Sequence, residues 1–208
     1  MVAKAFIQKG GDATAANVDL DTPLLLVGDS SLVQMPVDAD ANIEPRNQLG
    51  LTPLHKAVQG NNFRVIETLL ANGANLKARS SSGQTPLLLL DNCHPNTDLV
   101  ILELLINKCA GPDAMNEDGV TLLHKLPSRR PLDRVPVASQ SHYLDIVELL
   151  LNNVSNVNAE DQKGHTPLDY AIGSSSKAWH MAELIEKLRE HGGKENKTYI
   201  EETSVDEE

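Results

Sequence analysis

The chain has 208 residues, enough to bury on the order of 70% of its unfolded surface in one ordinary domain or two small ones. A formal net charge of -11 opposes phosphate backbones and anionic headgroups over most of the surface, so nucleic-acid and membrane partners are disfavoured. Apolar residues make up 40% but aromatic residues only 3%, which argues against disorder and for a core of Leu, Ile, Val and Ala between closely packed helices.

The opening MVAKAFIQKG reaches Gly10 and Gly11 without building the apolar centre of a secretory signal. Phe6-Ile7-Gln8-Lys9-Gly10-Gly11-Asp12 aligns with Leu69-Leu70-Ala71-Asn72-Gly73-Ala74-Asn75, so residues 1–11 read as the second half of a repeating unit, a half-repeat cap. A first Thr-Pro-Leu box follows at Thr22-Pro23-Leu24, with Leu20 where later boxes carry glycine and Leu25 in the fourth place. Its unit, residues 12–41, is degenerate, because Pro36 within VQMPVDADA spoils the second helix.

The unit 42–74 shows the plan in full. Thr52 is placed to accept a backbone N–H from two or three residues on, and Pro53 wastes no donor at the first helical position. Leu54, Ala57 and Val58 share one helix face. After the turn signal QGNN, a second stripe of Phe63, Ile66, Leu69 and Leu70 ends at Gly73, a left-handed cap. The polar piece NLKARSSSGQ then leads to the next box, Gly83/Thr85/Pro86/Leu87, 33 residues after the last.

In the unit 75–110, Leu88 replaces His, and Leu90 stands where the small Ala57 lets helices approach, which predicts a wider spacing. The run LVILELLI is shorter than the roughly 20 apolar residues of a membrane span and is broken by Glu103. Cys93 and Cys109 lack metal-ligand spacing and are too few for a disulfide framework; both are expected to be buried thiols in a reducing compartment.

The unit 111–155 carries the box Gly119/Thr121/Leu122/Leu123/His124, with Leu122 in place of Pro and Leu126 in place of the small Ala. The box threonines Thr22, Thr52, Thr85, Thr121 and Thr166 stand 30, 33, 36 and 45 residues apart, so the last interval holds an insertion. Pro127 ends the first helix early and the second is expected from about Asp145, which makes residues 127–142 the inserted loop. It holds Arg129, Arg130 and Arg134, three of only seven arginines. These read either as a solvated charge cluster or as a clamp for carboxylates or phosphates. Prolines at 127, 131 and 136 lower the ordering entropy that binding would cost.

The last unit, 156–193, has the box Gly164/Thr166/Pro167/Leu168 and a stripe of Ala178, Met181, Ala182, Ile185 and Leu188 that stops at Gly192-Gly193. Residues 194–208, KENKTYIEETSVDEE, set six acidic residues against two lysines with no apolar period and are expected to form a disordered tail.

Box and period together resemble the ankyrin repeat, whose signature is a Thr-Pro-Leu-His box every 33 residues. The resemblance implies an all-α solenoid of stacked helix-turn-helix units over residues 1–193, with the Pro/Arg-rich insertion between the two helices of the fourth unit. It implies that His55 and His124, in the fourth box place, hydrogen-bond within their turns. It also implies a protein-binding module or adaptor that meets its partner through turn tips and the exposed side of the first helices. Carried over position by position, the tips are Gln48, Leu49 and Leu51; Ser81, Ser82 and Gln84; Glu117, Asp118 and Val120; and Gln162, Lys163 and His165. The first-helix ends add Gln59, Asn92, Ser128 and Arg129, and the arginine loop adds Arg130 and Arg134. Leu49, Leu51 and Val120 are expected as exposed apolar anchors.

The partner expected for such a chain is a protein, with an acidic segment facing the arginine loop, bound by a cytoplasmic monomer. No catalytic, cofactor or metal site is expected. Glycine loops, paired-carboxylate motifs and nucleophile elbows are missing from the sequence, and His94, His142, His165, His180 and His191 form no metal motif. Cys93 and His94 are adjacent and do not face each other, so a cysteine-dependent enzyme using Cys93 or Cys109 needs a histidine from another unit; it stands as a lesser alternative. The Glu-rich C-terminus is similar to export signals of bacterial effectors that act inside host cells, a second alternative.

Overall fold

The computed structural model describes residues 12, 14–26, 42–90, 95–127, 137–174 and 179–196. Among them are seven α-helices, one short 3-10 helix and no strand, and none of the helices is long and apolar enough to cross a membrane. The chain divides into two compact units, residues 1–90 with 107–110, and residues 91–106 with 111–208.

In the first unit the complete repeat forms α1 (Pro53–Gln59) and α2 (Phe63–Ala71). Thr52 begins α1 because its extended backbone turns the hydroxyl onto the His55 N–H, 3.5 Å away, while Pro53 fills the position that has no donor to lose. Asn62 caps α2 through Val65 N–H at 3.3 Å, and Gly73 leaves it at φ +86°. Leu54, Val58, Val65, Ile66 and Leu69 are buried between the two helices and α1 also packs against the 3-10 helix Pro86–Leu89. Val65 joins this core, whereas Phe63 and Leu70 of the expected stripe are half-buried.

The second unit contains α3 (Pro95–Asn107, less its last residue), α4 (Leu122–Lys125), α5 (Val137–Asn153), α6 (Pro167–Gly173) and α7 (Trp179–Glu190). First helices meet first helices, α4 on α6, and second helices meet second helices, α5 on α7, while α6 and α7 pair within one repeat. Leu122, Leu123, Leu126, Ile146, Leu150, Leu168, Leu184 and Leu188 fill the core between them. Lys187 on α7 reaches Glu148 on α5 at 2.9 Å. The buried stripe of α7 runs through Met181, Leu184 and Leu188; Ala182 is exposed and Ile185 half-buried, so the helix is rotated relative to the stripe read from spacing.

The first helices are not all alike. With Ala57 or Ala171 at the fifth place after the box threonine, α1 and α6 run seven residues; with Leu90 or Leu126 there, the 3-10 helix and α4 stop at four. Both leucines are buried and serve as core where those helices end. In the insertion, α5 starts at Val137 rather than near Asp145, because Val137–Leu144 contains no proline and continues the helix backwards. Cys109 is exposed at φ +65°: it follows α3 in the left-handed place that Gly73 holds after α2, and that turn points its side chain outward instead of burying it. Lys194, Glu195 and Asn196, assigned to the tail by composition, are bonded to the last repeat. The half-repeat cap 1–11, the segment VQMPVDADA, Cys93 and residues 197–208 lie outside the described residues.

Candidate functional site

Five residues before each box threonine stands a short polar side chain, Asn17, Asn47, Ser80, Asn116 or Asp161. Its oxygen accepts the backbone N–H groups two and four residues on: Leu49 and Leu51 on Asn47 at 3.1 and 3.0 Å, Asp118 and Val120 on Asn116 at 3.0 and 2.8 Å, Lys163 and His165 on Asp161 at 2.8 and 2.9 Å. Asn17 and Ser80 do the same for Asp19 and Asp21, and for Ser82 and Gln84. Each turn then needs a left-handed residue two before the threonine, supplied by Gly50, Gly83, Gly119 and Gly164, and in the first turn by Leu20 at φ +61°.

Within each unit, neighbouring turns are bonded to one another. Gln48 N–H donates to the Asp19 carbonyl at 3.0 Å and Ser81 N–H to Leu49 at 3.0 Å in the first unit; Gln162 N–H donates to Asp118 at 2.8 Å in the second. The Gln48 and Gln162 side chains reinforce this by donating to the carbonyls of Val18 at 2.6 Å and Glu117 at 2.5 Å. Within each unit the tips therefore form a rail of fixed spacing.

The boxes anchor that rail. The Thr52 N–H donates to His55 Nδ1 at 3.2 Å, which leaves the ring proton on Nε2 to donate to the Gln84 carbonyl at 2.9 Å, at the base of the following turn. His124 repeats this with Thr121 N–H at 3.1 Å and the His165 carbonyl at 3.1 Å. Both imidazoles are held below the usual histidine range, chiefly because burial disfavours the charged ring, with the carbonyl bonds opposing. The hydrogen bonding within the turn that the box implies is thus present, and it extends to the next turn.

Beside the last box, Tyr170 donates its hydroxyl to Asp161 Oδ2 at 2.8 Å, and its ring meets the His124 and His165 rings edge-on at 5.4 and 5.9 Å. Burial pushes the Asp161 carboxyl up, but the donors from His165, Tyr170 and Lys163 outweigh it and hold the group below the usual aspartate range. This fixes a half-buried aromatic ring on the first-helix face, with Ile172 exposed nearby on the same helix.

Gln48, Leu49, Gln59, Ser81 and Ser82 are exposed in the first unit, and Glu117, Asp118, Gln162 and Lys163 in the second. Gln84, Val120 and His165 are half-buried. Leu51 is not an exposed anchor. It is 8% exposed, because the residue just before the buried threonine turns into the core, while Leu49 at the tip is 65% exposed. Asn92, Ser128, Arg129, Arg130 and Arg134 lie outside the described residues. Position-by-position reading missed Tyr170, whose signal was a rare aromatic at the place Lys56 and Lys125 hold in other boxes. It also missed Val18 and Leu20, 87% and 50% exposed on the first turn, because that turn lacks its glycine.

A family model described as ankyrin repeats (many copies) matches residues 37–90. Neurogenic locus notch homolog protein 1 of Danio rerio is 34% identical over 134 residues, which are 62% of this chain and 5% of that protein. Putative ankyrin repeat protein FPV031 of Fowlpox virus (strain NVSL) is 30% identical over 142 residues, 66% of this chain and 38% of that protein. RelA-associated inhibitor of Mus musculus is 30% identical over 132 residues, 60% of this chain and 16% of that protein. The chain thus spans much less than two thirds of the length of these relatives.

Proposed function

This chain is an ankyrin-repeat protein, and from that premise we propose that it is an adaptor that binds a partner protein along its turn tips and the exposed side of its first helices. The observation that carries the reading is the rail: backbone bonds from turn to turn fix the tips at regular spacing while Leu49, Ser81 and Ser82, or Asp118 and Lys163, remain turned to solvent. A surface ordered in advance loses little entropy on binding, so its contacts convert to affinity more fully than those of a floppy loop. On the first two turns Val18, Leu20 and Leu49 supply apolar area, and on the last repeat Tyr170 and Ile172 do so. One relative is by its name an inhibitor associated with RelA, which supports a protein as the kind of partner. The exposed free thiol of Cys109 favours a reducing compartment, the cytoplasm.

Affinity capture with the intact chain, repeated with Leu49→Asp and Tyr170→Ala, tests this. Each variant is expected to weaken the captured partner's binding at least tenfold while circular dichroism stays unchanged. Full binding by both variants would remove the proposed surface.

A further inference from the structure

The last box is closed differently from the two boxes that carry histidine. His55 and His124 each present an Nε2 donor to a carbonyl of the following turn. In the same box place the last repeat has Asp169, which can only accept. Its Oδ2 takes the Thr166 N–H at 2.8 Å and hydroxyl at 2.9 Å, and its Oδ1 takes the Asn196 N–H at 2.9 Å. The bond across the layer has reversed polarity.

Other contacts converge on the segment that holds Asn196, residues 192–196. Asn196 donates its side-chain amide to the Gly164 carbonyl at 2.7 Å, and the Thr166 hydroxyl also lies 2.9 Å from the Lys194 carbonyl. Asn158 holds the segment from both sides, accepting Lys194 N–H at 2.6 Å and donating to the Gly192 carbonyl at 2.9 Å. Arg189 pairs with Glu195 at 2.7 Å. The glycines locate what has been replaced. A Cβ on Gly50 would meet Ser81 N at 2.7 Å and one on Gly119 would meet the Asp161 Cα at 2.9 Å, both in the next turn; on Gly164 it would meet the Asn196 side chain at 3.3 Å.

We propose that residues 192–196 are a strap that closes the repeat array by occupying the place of a further turn, and that Asp169 selects it: a histidine there matches the carbonyl of another repeat, whereas aspartate matches the N–H of the strap. A consequence is that truncations beginning at 194 strip the last layer, while those beginning at 197 leave the strap whole. The strap is a built-in end to the array and is independent of what the tips bind.

Amide hydrogen exchange on the full chain tests it. The amides of Lys194 and Asn196 are expected to exchange about tenfold or more slowly than unprotected amides, and Asp169→His to remove that protection while the Gln48 and Ser81 amides keep theirs. Asn196→Ala and Asn158→Ala, which leave the α6 cap intact, are expected to speed Lys194 exchange at least fivefold, which keeps the test decisive if Asp169→His fails to fold. Unprotected exchange at Asn196 in the intact chain, or unchanged Lys194 exchange in both alanine variants, would overturn the proposal.

Discussion

His55 shows how much one side chain carries. It satisfies the buried N–H of Thr52 on one ring nitrogen and ties the next turn with the other, and it is fully buried. His55→Leu, the residue that boxes one and three already use, strands that N–H and is expected to cost about 2 kcal/mol in denaturant unfolding. The same geometry sets a pH dependence. Folding lowers the affinity of His55 and His124 for protons, so as pH falls the unfolded chain protonates first, near its ordinary value of 6.5. Their contribution is complete above about pH 6.5 and is lost as pH drops through the lower folded values. The denaturation midpoint is therefore expected to fall between pH 7 and pH 5, with a shallower fall in His55→Leu; a midpoint equal at both pH values would refute this origin. Leu20 makes the opposite trade. A leucine held at φ +61° costs about 1 kcal/mol that glycine avoids, so Leu20→Gly is expected to raise stability and, by removing exposed apolar area, to weaken partner binding. Calorimetry and a binding titration on one preparation read both effects.

At the scale of the element, the box decides whether a helix forms. Thr52, Thr121 and Thr166 each have a partner three residues on, and α1, α4 and α6 follow. Thr22 and Thr85 face Leu25 and Leu88 instead; their hydroxyls are buried without a hydrogen bond among the described residues, and a turn and a 3-10 helix follow. Thr85→Val is therefore expected to leave stability unchanged or raise it by up to about 1 kcal/mol, while Thr52→Val costs about 1–2 kcal/mol. Chemical denaturation of the pair shows whether the sign differs. Much of this was legible in the sequence: the repeat, the Thr-Pro start of α1, the early end at Pro127 and the weakness of the Leu-bearing boxes all rest on local chemistry. What was not legible depends on layers meeting. That Leu51 turns inward while Leu49 turns out, that α7 buries Leu184 rather than Ala182, and that Tyr170 is held by Asp161 are set by neighbouring turns and helices, which a single repeat's pattern does not specify.

On the scale of the whole molecule, charge is the remaining lever. With a net charge of -11 the surface repels an acidic partner at long range, so a reading in which the insertion grips an acidic segment requires Arg129, Arg130 and Arg134 to act at short range against that field. The physical signature is a salt dependence confined to the loop. Screening shortens the Debye length from about 14 Å at 50 mM salt to about 4 Å at 500 mM, which removes the long-range repulsion but leaves a close guanidinium–carboxylate contact partly intact. Arg129→Ala/Arg130→Ala is expected to weaken the captured partner about fivefold or more at low salt, chiefly by slowing association, and the deficit is expected to narrow at high salt. Leu49→Asp adds charge at a tip that buries apolar area, so part of its deficit is expected to persist at 500 mM salt. Surface plasmon resonance at both salt concentrations separates the two kinds of contact. If the arginine variant binds like the parent at low salt, the loop is a solvated insertion and the rail of tips alone carries recognition.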